Sequence, residues 1–366
     1  MQQRGKQKVN MSPFRTIPLF STASLLPAAC LFAGAFLGGG WPFAALISMT
    51  ILVIAMDRFG PGFEAHASLA KGLPWAVGAA HFAVLPATVW ALGADTLDIG
   101  QKLALGVALG LYAGQVSNAC AHELIHRSDH ASRWLGIAMY CSLLNGQHVS
   151  AHLLVHHVHA GTAKDPSSAP VGRGFYRFAA KAARREFIDG WRAETRRQSS
   201  HRRRLHPYAM YLSGAAFTLG IAALLGGWIG CISLIAISLH AQMQLLLSDY
   251  VQHYGLRRRI EANGKPEPMS PAHSWNAPQA YSAAIMMNAP RPSDHHMRPA
   301  RRFVDLQLEA AQMPVLPRSM PVMAAIALFP PLWRHVMDPR VAVWTDARNV
   351  QKAQDASSFT QPIMSR

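Results

Sequence analysis

Apolar blocks constrain this chain more than any other feature. Runs with few or no charged residues cover 17–39, 41–57, 73–94, 103–121, 208–229 and 231–250. A helix of about 20 apolar residues crosses a hydrocarbon layer. The expected fold class is therefore all-α, a polytopic membrane protein with six transmembrane helices. Apolar residues make up 50% of the 366 and charged residues only 15%, which argues against a soluble globular protein. The first block exceeds the short h-region of a cleavable signal and reads as a retained helix, with Pro18 and Pro27 as possible bends. Glycine-rich turns at 37–40 and 226–230 suggest helical hairpins, with Trp41 and Trp228 placed as interface residues would be.

The formal charge is +16, with a pI near 10.3. Nucleic-acid binding is the reflex reading of such a charge. However, the basic residues lie between and after the apolar blocks, where the positive-inside rule puts them. The N-terminal tail carries Arg4, Lys6, Lys8 and Arg15, and 122–207 carries 14 Lys/Arg against 6 Asp/Glu. The 95–101 connection has Asp95 and Asp98 and no basic residue. Both ends and the 122–207 region are thus expected on the cytoplasmic side of the membrane. A basic face of this kind suits an acidic soluble partner better than nucleic acid. The four cysteines, Cys30, Cys120, Cys141 and Cys231, lie in apolar surroundings without a CxxC pair. They read as small buried hydrophobes, with no disulfide framework and no thiolate metal site.

The expected organisation is four membrane helices within 1–121, a cytoplasmic region at 122–207, two more helices over 208–250, a second cytoplasmic region at 251–345 and a polar, poorly ordered tail at 346–366. Shorter apolar segments at 134–146, 279–289 and 319–337 fall in the cytoplasmic regions. Pro330 and Pro331 interrupt the last, which reads as a helix lying against the membrane surface or the soluble part. No internal repeat is evident.

The 18 histidines are not scattered. HELIHR places His122 and His126 four apart, on one helical face. HLLVHHVH supplies His152, His156 and His157. There the α-helical period puts His152 and His156 on one face and turns His157 about 100° away, so that one helix could serve two metals. SDYVQHYGL adds His253, and RPSDHH adds His295 and His296. His66, His81, His201, His206 and His335 read as interface or surface residues, and His130, His148, His159 and His273 fit no ligand spacing. His240 is an ionisable residue at membrane depth, and such residues tend to face the bundle interior and be functional. The eight clustered histidines are expected to form a metal centre and a cytoplasmic histidine-rich cap. Neutral imidazoles without thiolate suit zinc, copper, iron or nickel. Eight ligands are too many for one ion, so two ions are expected. Glu123, Asp165, Asp249 and Asp294 are candidates to accept the second ring N–H and fix the tautomers. An all-histidine set also differs from the carboxylate-bridged ExxH di-iron bundles.

HELIHR, HLLVHHVHAGTAKDPSSA, DYVQHYGL and SDHH, in this order among membrane helices, resemble the integral-membrane alkane 1-monooxygenases. These belong to a histidine-box group that includes the membrane fatty acid desaturases. The resemblance covers about residues 70 to 300. It implies two non-haem iron ions at the cytoplasmic helix ends, held by His122, His126, His152, His156, His157, His253, His295 and His296. It further implies O₂ activation and insertion of one oxygen atom into a terminal C–H bond of a medium-chain alkane. The hydrocarbon would enter from the bilayer. Electrons would come from rubredoxin, a small acidic iron–sulfur protein fed by an NAD(P)H-dependent reductase.

The family pattern has one more histidine, three residues before the HH pair, where this chain has Pro292. Proline offers no donor atom. Three readings follow: an open coordination position, substitution by another histidine such as His273, or impaired activity. Rival functions are a desaturase or hydroxylase acting on another lipid or an aromatic methyl group, a HExxH zinc protease with Glu123 as base, and an inactive metal-binding protein.

Overall fold

The computed structural model describes residues 16–60, 72–198 and 205–359. All regular structure among them is helical apart from two isolated bridges, Ile260 with Pro266 and Asn276 with Val315. The first helix, α1 (Thr16–Leu37), accommodates Pro27 and packs against α2 (Trp41–Met49) and α4 (Leu73–Gly93). The expected single span 41–57 is a pair, α2 and α3 (Ile51–Phe59), bent by 42°. The break is at Thr50, whose hydroxyl donates to the Leu46 carbonyl at 2.6 Å and whose backbone is non-helical. A side-chain hydroxyl competing for a backbone acceptor loosens a helix in this way.

The next helix starts at an acidic cap. Asp98 accepts the Gln101 backbone N–H at 2.9 Å, and the Gln101 side chain returns to the Asp98 N–H. This capping box satisfies two otherwise orphaned donors at the head of α5 (Ile99–Tyr112). The chain then passes through a π-turn, Ala113–Ser117, into α6 (Asn118–Ile125). α7 (His130–Ser142) packs back on α6, and α8 (Gln147–Ala151) leads through a second π-turn, His152–His156, into the short α9 (His157–His159). α10 (Phe175–Gln198) carries much of the basic charge of this region.

α11 (Pro207–His253) is two helices meeting at Gly227, which has φ +61° and ψ −146°. Only glycine adopts such a conformation without strain. The Cys231 thiol lies 3.7 Å from the Leu219 carbonyl, twelve residues back; a straight helix would separate them by roughly 18 Å. The two arms therefore run side by side, as the glycine-rich turn suggested. Beyond α11 come α12 (Ala280–Ile285), α13 (Pro292–Met297), α14 (Met320–Ala327) and α15 (Pro330–Phe359). The last helix runs through Phe359 and so takes in part of the polar stretch after 345.

Among the described residues four helices are long and apolar enough to cross a membrane: Leu19–Leu37, Leu73–Gly93, Ile99–Ile125 and Pro207–His253. The bent pair α2–α3 makes five. The chain is thus a multi-pass helical membrane protein, but length and composition do not establish the expected count of six. Leu224, Trp228 and Phe217 on α11 are among its most exposed side chains, as a lipid-facing surface requires.

Candidate metal centre

The eight clustered histidines come together in two groups. His122, His126, His152, His157 and His295 form one, and His156, His253 and His296 the other. In the first, His152 Nε2 lies 2.9 Å from His122 Nε2, 3.0 Å from His126 Nε2 and 2.9 Å from His157 Nε2. His295 Nε2 closes on His157 Nε2 at 3.2 Å. In the second, His296 Nε2 is 3.2 Å from His156 Nε2 and 3.3 Å from His253 Nε2.

These separations are diagnostic. Two donors about 2.1 Å from one cation and at right angles lie roughly 3.0 Å apart. An imidazole nitrogen directs one hydrogen bond along one direction, so it cannot satisfy three neighbouring ring nitrogens at once. A shared cation can. The donor chemistry therefore fits two first-row metal ions bound by neutral imidazole.

The electrostatics agree. Burial, reinforced by neighbouring histidines, pulls His126 and His157 down to about 2 and holds His152, His295 and His296 well below the usual imidazole range. These rings keep their lone pairs free at neutral pH. His156 differs. Burial lowers it, but the Asp165 carboxylate outweighs this and lifts it to about 9. Asp165 sits 3.0 Å from His156 Nδ1 and accepts from the Ser168 hydroxyl at 2.6 Å and the Ser167 N–H at 3.1 Å. Asp165, Ser167 and Ser168 are the DPSS of the second box, which is the loop that orients this ring. With Nδ1–H donated to the carboxylate, Nε2 is the atom that gives up its proton to a metal.

The other carboxylates singled out in the sequence are engaged differently. Glu123 pairs with Arg127 and accepts the Phe303 N–H at 3.2 Å. Asp294 is fully buried and binds Arg298 at 2.9 Å, Arg301 at 2.7 Å and the Gln307 N–H at 2.9 Å. Asp249 lines the cavity beside the second group.

One expectation needs correction. The α-helical period put His152 with His156 and set His157 apart. The structure pairs His152 with His157 and gives His156 to the other group. The cause is the second π-turn, in which the His157 N–H bonds to the His152 carbonyl five residues back. Its wider turn stacks residues five apart. One short segment does serve both groups, through a different pair. His295 and His296, adjacent on α13, likewise divide between the groups. Pro292 is buried at the first turn of α13, one helical turn before His296. Pro292 is also three residues before His295, so it shares a face with a member of each group, and the three-histidine group is the one with fewer donors. His273 does not replace it, because its ring is bound to Glu267 at 3.0 Å, Ser270 at 3.0 Å and Arg348 at 2.9 Å.

Elsewhere, His81 is buried, not superficial, and its ring is satisfied by Ser117 at 3.0 Å and Ser142 at 2.7 Å. His206 caps α11 and stacks on Trp191, and His335 is exposed. His66 and His201 lie outside the described residues. His148 was passed over in the sequence. It is buried, its ring centroid is 5.3 Å from that of His152, its Nδ1 is 3.4 Å from Glu186, and it lines the central cavity. It belongs to neither histidine group, in keeping with its lack of ligand spacing in the sequence.

A cavity of about 640 Å³ runs onto both groups from between α3, α5, α11 and α14. Its wall combines the histidines with apolar residues such as Val53, Leu111, Ile326 and Phe329.

The sequence is similar to those of known proteins. The fatty acid desaturase family matches residues 101–324. Alkane 1-monooxygenase 2 of Alcanivorax borkumensis is 32% identical over 258 residues, covering 69% of this chain and 67% of the relative. Alkane 1-monooxygenase 2 of Pseudomonas aeruginosa is 33% identical over 262 residues, covering 70% and 69%. Alkane 1-monooxygenase of Pseudomonas putida is 28% identical over 270 residues, covering 73% and 67%. With two histidine groups facing one apolar cavity, and with this similarity, the chain belongs to the fatty acid desaturase family, among its alkane 1-monooxygenase-like members, and is an oxygen-using oxidoreductase.

Proposed function

We propose that this protein hydroxylates the terminal carbon of medium-chain alkanes. The balance is alkane, O₂, two electrons and two protons giving 1-alcohol and water, with reduced rubredoxin as the electron donor. The observation that carries the reading is the apolar cavity ending on both histidine groups. It suits a substrate with no polar handle near the reacting carbon. Two non-haem iron ions would be held by His122, His126, His152, His157 and His295, and by His156, His253 and His296. Bound iron supplies the redox chemistry that reduces O₂.

The chain's own residues do the rest. Asp165 fixes the His156 tautomer. α14 and the start of α15 wall the cavity with apolar side chains and exclude water. Pro292 leaves the second group with three donors, and a three-ligand site keeps positions open for exogenous molecules. We read the arms of α11 as two crossings and α2–α3 as one, which gives six, with both ends and the metal centre cytoplasmic in a bacterial inner membrane. The HExxH protease reading is disfavoured because Glu123 is tied to Arg127 and Phe303.

The test is conversion of octane to 1-octanol by cells supplied with a rubredoxin and its reductase, with iron quantified in the purified protein. Two irons per chain and 1-octanol are expected. One zinc per chain and no alcohol would sink the reading.

A further inference from the structure

The upper cavity contains a polar station that a pure hydrocarbon would not need. Gln115, His240 and Gln244 line it, inside helices of membrane-spanning length. Polar groups at such depth are costly and tend to mark function. Two residues of the facing helix make room for them. A Cβ on Gly110 would lie 2.1 Å from His240 Nδ1, and one on Gly114 would lie 2.3 Å from Gln244 Nε2. Gly114 and Gln115 also sit in the first π-turn, and such turns recur at functional sites.

Hydrogen bonding fixes which atom is free. Gln244 Nε2 donates to the Gly110 carbonyl at 2.8 Å, which sets the orientation of that amide. Gln244 Oε1 must then accept, and it does so from Gln115 Nε2 at 3.2 Å. This leaves Gln115 Oε1 buried with no hydrogen-bond partner among the described residues. An orphaned buried acceptor calls for a donor. The station contains no lysine or arginine, so an anionic carboxylate would remain uncompensated there.

Gln115 lies seven residues before His122, and Gln244 and His240 lie nine and thirteen before His253. At 1.5 Å per residue this places the station roughly 10–20 Å from the histidine groups, the span of an extended chain of roughly nine to sixteen carbons.

We propose that the cavity takes an aliphatic chain bearing a hydroxyl at the end remote from the metal centre, with Gln115 Oε1 accepting the O–H and His240 beside it. The substrate class is the alkan-1-ol and the product the α,ω-diol. The new C–O bond forms at the far methyl: alkanol, O₂, two electrons from an iron–sulfur carrier and two protons give diol and water. This rests on the terminal-hydroxylase reading above and extends it, since the alcohol from a first turnover re-enters reversed.

The experiment supplies membranes containing the full chain and its electron donor with equal amounts of dodecane, 1-dodecanol and methyl dodecanoate. The expected result is diol formation at least matching dodecanol formation from dodecane, with the ester, which cannot donate, oxidised more slowly. In Gln115→Met and His240→Leu the diol-to-dodecanol product ratio falls about ten-fold, the weight of one hydrogen bond. Wild-type iron content in each variant certifies folding. Oxidation of dodecane without 1-dodecanol, an unchanged product ratio in both iron-loaded variants, or equal use of the ester overturns the inference and leaves alkane hydroxylation standing. Oxidation of none of the three overturns the reading on which it rests.

Discussion

Pro292 is the residue where this chain departs most from the pattern its histidines suggest. It begins α13 one turn ahead of His295 and His296, and of the two groups these serve the three-histidine one has fewer donors. Pro292→His should supply a fourth donor to that group. The expected result is at least about ten-fold slower loss of one ion per chain to a chelator. Metal analysis during chelator challenge measures it, and identical loss from wild type and variant would mean that the position does not reach the ion. Asp165→Asn tests the opposite side of the same group. The amide cannot hold His156 as the carboxylate does, and metal affinity should fall about 10–100-fold, read by competition with a chromophoric chelator. Unchanged affinity would remove Asp165 from the centre. The eight histidines themselves were legible because imidazoles at helical spacing, in four separate segments, have few structural uses. The Arg127–Glu123 and Arg298–Asp294 pairs are i,i+4 neighbours and could have been read from spacing, whereas the Phe303 N–H reaches Glu123 from 180 residues away and left no trace in the sequence.

Elements explain why the expected pairing of histidines failed. Hydrophobic and histidine periodicity can be read at 3.6 residues per turn, but a π-turn changes that period without changing composition. The turn at His152–His156 is therefore invisible in the sequence, and with it the division of His152 and His156 between two groups. The break at Thr50 escaped for a similar reason: one hydroxyl on one carbonyl bends a span that reads as uniform. Glycine leaves a clearer trace. The reversal at 226–230 was expected from composition, and Gly227 shows why, with φ +61° and ψ −146°. Gly227→Ala should destabilise the folded chain by about 1–3 kcal/mol, the cost of a non-glycine residue in such a conformation. Thermal unfolding in detergent measures it. A melting temperature equal to wild type would indicate that the turn relaxes freely and does not hold the two arms together.

At the scale of the whole molecule, charge links the membrane architecture to the source of electrons. The chain carries +16, and its basic residues surround the segments that bear the histidines. Arg298, Arg301 and Arg302 follow His296 directly, with side chains 54%, 27% and 34% exposed. Asp294 pairs with the first two and Asp305 with the third, so three guanidinium groups against two carboxylates still leave that surface positive. An acidic electron carrier arriving there would be steered by the field and brought close to the metal centre. Such steering acts over about a Debye length, roughly 10 Å at 0.1 M salt, and is screened as salt rises. Raising ionic strength from about 0.05 to about 0.5 M should therefore raise the apparent KM for the donor several-fold, while turnover at saturating donor changes little, because the buried histidines and apolar cavity are shielded from solvent ions. Arg298→Glu should mimic high salt at low salt and blunt the further effect of added salt. Donor oxidation followed by absorbance at a series of salt concentrations measures both. A KM independent of salt in the wild type would show that the positive surface serves membrane orientation alone, and that the donor docks by apolar contact.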